Sequence, residues 1–106
     1  MNLPTILADI RRIAPEAVDA RLMFNTRDDG FEWEDEHIDF DAAALIIEAG
    51  LARWAMRNDW RLMHVFRKER NADGWYVADG SEFCAVFDTP LAALHAALLA
   101  NERTTP

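Results

Sequence analysis

A chain of 106 residues, 51% apolar and with four tryptophans, can bury one hydrophobic core but not two, so it reads as a single folded domain rather than a disordered segment. Its formal charge of −8 argues against general binding to nucleic-acid backbones, which needs clustered Lys and Arg. Its longest apolar runs, such as Ala42 to Ile47, fall far short of the roughly 20 residues that cross a bilayer, and Asp9, Arg11 and Arg12 interrupt any secretory signal, so the sequence predicts a cytoplasmic protein without a membrane segment.

In chain order, Leu3, Ile6, Leu7, Ile10 and Ile13 fall on one stripe and predict a helix over 3–13, with Pro4 tolerated in its first turn. Pro15 breaks it and opens a second predicted helix over 15–24, with Val18, Leu22 and Met23 on one face. "NTRDDG" then supplies turn chemistry, and residues 28–39 read as an acidic loop. From Asp39 or Asp41, either of which can cap it, a long helix runs to about Asn58, since Phe40, Ala44, Ile47, Leu51 and Trp54 follow steps of four and three. Gly50 weakens that helix by about 1 kcal/mol relative to alanine without ending it.

The period then changes to two. "WRLMHVFR", "WYVA" and "EFCAVF" predict three antiparallel strands at roughly 60–67, 74–79 and 82–87, with Asp73-Gly74 and Asp79-Gly80 as reversals. Thr89 or Asp88 caps a last helix, Pro90 to about Asn101, with Leu91, Leu94 and Leu98 as its stripe, and "ERTTP" follows as a frayed tail. The fold class is therefore α/β in the α+β sense: a three-stranded antiparallel sheet covered by helices and preceded by two short ones. The expected core joins Phe66, Val77 or Tyr76, and Phe83 or Val86 to Ile47, Leu51, Leu94 and Leu98. Cys84, the only cysteine, permits no internal disulfide and reads as a buried, inert thiol.

Charge is unevenly distributed. Residues 28–52 carry −9 with no Lys or Arg, and residues 53–70 carry +4 through Arg53, Arg57, Arg61, Arg67, Lys68 and Arg70 against Asp59 and Glu69. The acidic and basic blocks could pair with each other, within one chain or across a two-fold homodimer, or the acids could face another protein. Arg53 and Arg57 also suit the carboxyl end of the long helix, and Trp54 and Trp60 fit core periodicities, which argues against a nucleic-acid patch there.

No catalytic grouping emerges. His37 lies among carboxylates that favour its charged form, His64 shares a strand face with Trp60, Leu62 and Phe66, and His95 reads as exposed on the last helix. No Ser-His-Asp or Cys-His set and no glycine-rich phosphate loop can be assembled, so neither an enzyme nor a cofactor is expected. "NTRDDGFEWEDE" places Asn25, Asp29, Gly30 and Glu36 at EF-hand positions, but Arg27 and Trp33 occupy ligand positions, so no metal site is expected. Looser binding of a cation by Asp35, Glu36, Asp39 or Asp41 is the weaker reading.

Residues 40–100, with "DFDAAALIIEAG", "WRLMHVF", "DGWYVA" and "FDTPLAALHAALLA", resemble the phage ABA sandwich domain, and "PEAVDARLMF" is similar to the short helix preceding its acidic loop. That resemblance implies a phage or prophage accessory protein, a class in which small acidic members resemble anti-CRISPR inhibitors of host defence nucleases. The meander ending in "DTPLAALHAALLA" also resembles the HicB-type antitoxin core, which implies an antitoxin or transcriptional regulatory module binding a basic toxin. On either resemblance the expected partner is a basic host protein or nucleoprotein complex. The expected contact residues are Asp28, Asp29, Phe31, Glu32, Trp33, Glu34, Asp35, Glu36 and Asp39, carboxylates that imitate phosphates around aromatic anchors.

Overall fold

The Asn2 side chain accepts from the Thr5 amide and Pro4 sits in the first turn, so helix α1 (Leu3–Ile13) begins where the sequence places it. The computed structural model describes residues 2–78 and 85–104. After α1 the order is a 3-10 turn (Pro15–Ala17), strands β1 (Leu22–Asn25), β2 (Gly30–Trp33) and β3 (Glu36–Ile38), helix α2 (Phe40–Arg57), strands β4 (Arg61–Arg67) and β5 (Ala72–Ala78), and helix α3 (Pro90–Thr104). This is a mixed α+β fold in which α1 and the 3-10 turn precede a three-stranded antiparallel sheet, β1-β2-β3, and a separate β4-β5 hairpin follows α2. The smallest extent is 19 Å, about one helix layer against one sheet layer.

The three-stranded sheet is built from residues expected to be a helix end and an acidic loop. A helix over 15–24 does not form: Val18 is extended (φ −125°, ψ 135°), and the Arg11 guanidinium gathers carbonyls of this segment, including Val18 O and Asp19 O, which such a helix would use internally. It donates to Val18 O at 2.7 Å and to Asp19 O and Leu22 O at 2.8 Å. With those oxygens satisfied, Leu22 onward is free to pair as a strand. Nor is 28–39 a loop, because Phe31 and Trp33 alternate with Glu32 and Glu34 and supply the period of a half-buried strand. Glu34 and Asp35 close the β2-β3 hairpin with φ of 51° and 70°, as a tight two-residue turn with both central residues left-handed requires.

Helix α2 starts at Asp39, whose carboxylate accepts from the Ala42 amide at 2.7 Å. It buries Ala43, Ile47, Gly50, Leu51 and Trp54 against α1, β1, β2 and α3. Gly50 is required by contact: a Cβ there would lie 2.4 Å from the carbonyl oxygen of Ala17 in the 3-10 turn. Helix α3 is capped by the Thr89 hydroxyl, which accepts from the Ala92 amide, and it continues into the expected tail, ending at Thr104.

The core joins Ile6, Leu7 and Ile10 of α1 with Leu22, Phe31, Ile47, Leu51, Leu94 and Leu98. Leu62 and Val77 at the base of the β4-β5 hairpin pack against it, as does Trp60, edge-on to Trp54. Farther along the hairpin, Phe66 is 50% exposed and so leaves the expected core, and Val86 is also exposed. The reason is geometric: the core helices reach only the base of a hairpin whose seven-residue strands carry Phe66 beyond them. Within the expected third strand, Phe87 exchanges both backbone hydrogen bonds with Trp75, at 2.8 and 2.9 Å. Ala85 and Val86 before Phe87 are exposed and outside any strand, and residues 82–84, with Phe83 and Cys84, lie outside the described residues, as does the Asp79-Gly80 reversal.

Candidate acidic sheet face

Residues directly opposite in an antiparallel pair share a face. Met23 faces Glu32 on β2, and Glu32 faces His37 on β3, so these three form a row across the side of the sheet away from the core. Phe24 and Phe31 form the inner row, where Phe31 is fully buried between Phe24 and Phe40 with both ring centroids 5.1 Å away and edge-on. The turns add Asp28 and Asp29 at one end of the sheet and Asp35 at the other, all exposed, and Glu36 is exposed at the start of β3.

The structure therefore divides the nine expected contact residues. Glu32 lies on the outer face and Asp28, Asp29 and Asp35 on the turns at its ends, whereas Glu36, opposite Trp33, belongs to the other side and is exposed at the end of the sheet; among the described residues none of the five pairs with Arg or Lys. Phe31 is a core residue, and the Asp39 carboxylate is committed to capping α2, so neither belongs to an outward contact set. Glu34 pairs with Arg21 at 3.0 Å, and the same guanidinium lies 4.5 Å over the half-buried Trp33 ring. Arg21 also grips Asp19 at 2.7 Å and holds that carboxyl at about 2, first through the side-chain hydrogen bond. Trp33 is thus a covered ring at the wall of a groove of about 630 Å³ rather than a projecting anchor. Met23, 59% exposed beside Glu32, is the apolar side chain that sequence reasoning missed, since the stripe that includes it reads equally well as a helix.

The basic block does not neutralise this face. Arg53 and Arg57 line the Trp33 groove, yet the Arg53 Nε donates to Ala49 O, and Arg67 pairs with Asp88 at 2.6 Å. Among the described residues no cation of 53–70 forms an ion pair with 28–41, so the acids are not an internal clamp. The Asn25 amide, itself oriented by the Arg27 N–H, donates to both Asp28 and Glu32 at 3.2 Å. His37 lies 3.9 Å from Asp28.

The other histidines are structural. His64 is half exposed, 2.8 Å from Asp73 and tilted against Trp75. His95 is not free on the surface: its Nε2 lies 2.7 Å from Asp9 between α3 and α1, and only 21% of its side chain is exposed. That hydrogen bond is the main reason the Asp9 carboxyl sits below its ordinary pKa, with Arg12 adding to it. No helix among the described residues is long and apolar enough to cross a membrane. No family model, curated protein or solved structure matches this chain.

Proposed function

We propose that the outer face of β1-β2-β3 is a docking surface for a basic protein or nucleoprotein complex, and that this chain acts as a small binding inhibitor rather than a catalyst. The observation that supports this most is the set of carboxylates formed by the exposed Asp28, Asp29, Asp35 and Glu36 and the half-buried Glu32, which among the described residues have no Arg or Lys partner although the chain carries 11 such cations. Among the described residues no Arg or Lys offsets their mutual repulsion, and a basic groove would relieve it while steering association. Mounting them on a paired sheet fixes their spacing, which suits imitation of a phosphate array. Met23 supplies a soft apolar contact at the β1 end of the row. The resemblance to a phage accessory domain directs the choice of partner towards host nucleases that grip nucleic acid.

The test is affinity capture from host extract with three baits: the native chain, E32K/D35K/E36K, and R53E/R57E. The reading expects a basic protein retained by the first and third baits, lost by the second, and released by salt. Retention by all three alike would refute it.

A further inference from the structure

We propose that Asp28, Glu32 and His37 form a binding site for a divalent transition cation of the zinc type. Their ligand atoms, one from each side chain, all lie within 4.8 Å of one another. The three come from separate backbone segments, Asp28 from the β1-β2 turn, Glu32 from β2 and His37 from β3, and the register holds Glu32 and His37 directly opposite. Cross-strand partners have Cβ atoms about 4.5–5.5 Å apart, a distance that an imidazole and a carboxylate span to a common ion.

The histidine separates this set from the acids around it. Asp29, Asp35 and Glu36 offer oxygen alone, whereas imidazole beside two carboxylates is a donor set for zinc, nickel or cobalt, with one or more positions left open. The environment favours a cation for a second reason: the donor held between the two carboxylates is the neutral Asn25 amide, where an Arg or Lys would have neutralised them. A dication balances Asp28 and Glu32 in charge. Bonds of about 2.0–2.2 Å require the ligand atoms to close to roughly 3.3 Å, which side-chain rotation allows because His37 and Asp28 are 67% and 55% exposed. Sequence spacing could not reveal the set, since positions 28, 32 and 37 become neighbours only once β2 and β3 pair.

The site stands whether or not the same face docks a basic partner, and its test is direct. Zinc chloride is titrated into the full chain, followed by calorimetry and by the imidazole resonances of all three histidines. The expected result is saturable binding of one ion that moves the His37 resonances and leaves those of His64 and His95 in place. His37→Ala and Glu32→Gln should weaken it by at least about tenfold. Asp35→Asn, which removes the same charge from a non-ligand, should leave it unchanged. Absence of saturable binding up to about 1 mM zinc, equal binding by His37→Ala, or an Asp35→Asn effect as large as that of Asp28→Asn would overturn the proposal. If His37→Ala failed to fold, the resonances of the native chain would still decide.

Discussion

Gly50 sets helix propensity against packing. Alanine is favoured over glycine within a helix by about 1 kcal/mol, so propensity alone makes Gly50→Ala stabilising. The added Cβ, however, would meet the Ala17 carbonyl oxygen at 2.4 Å and the Val18 Cγ2 at 3.1 Å. The first is a backbone atom of the 3-10 turn that Pro15 opens, and the Arg11 hydrogen bond to Val18 O holds the next residue, so the turn cannot swing aside on its own. Overpacking of this kind costs about 1–3 kcal/mol, and a rigid backbone neighbour places it at the upper end. After the helix gain is subtracted, a net loss of about 1–2 kcal/mol is expected, or roughly 4–15 °C in Tm for a domain of this size. Thermal and urea unfolding followed by circular dichroism measure it. A variant as stable as the native chain, or more so, would refute the close approach of α2 to the 3-10 turn.

Phe31→Ala should cost about 3–5 kcal/mol in urea unfolding, because its ring is fully buried between Phe24 and Phe40. Reversing Asp35 or Glu36, both exposed and unpaired among the described residues, should change stability by less than about 0.5 kcal/mol. Arg11→Lys should destabilise by about 1.5–3 kcal/mol, since an ammonium cannot fork to Val18, Asp19 and Leu22 carbonyls together. The folded pKa of Asp9 is depressed, so its contribution is present above the unfolded value of about 3.9 and lost as pH falls through the folded value. His95→Gln should raise that pKa in a carboxyl NMR titration and blunt the acid limb of the stability profile. Calcium and magnesium should leave Tm unchanged, because two carboxylates and an imidazole do not supply the six or more oxygens these ions prefer.

The helices were legible because their signals are local. The apolar stripe of 3–13, Asp39 before the four-three steps of α2, and Thr89-Pro90 before α3 each carry their own start and period. β4 and β5 were legible for the same reason, as period-two runs. The sheet at 22–38 was not, because what creates it is remote. Arg11, in the preceding helix, takes up the Val18 and Asp19 carbonyls of a competing helix, and the β2-β3 reversal uses Glu34-Asp35 in place of the glycine or asparagine that usually marks such a turn. The alternation of Phe31 and Trp33 with Glu32 and Glu34 did indicate two-sidedness, but without the register it could not say which side met the core. The acidic block was therefore legible as composition, and its aromatic half was assigned to the wrong face.

The binding account rests on the outer sheet face, and the most direct measurement compares the affinity of the captured basic partner for the native chain and for E32K/D35K/E36K at two salt concentrations. Both proteins should fold, since among the described residues the reversals break no ion pair and only the Asn25 hydrogen bond to Glu32, a loss of about 1 kcal/mol. The native chain should lose affinity as salt rises, and the reversed variant should bind at least tenfold more weakly at low salt with little further salt dependence. Equal affinities with equal salt slopes, in two folded proteins, would contradict the assignment of this face as the binding surface.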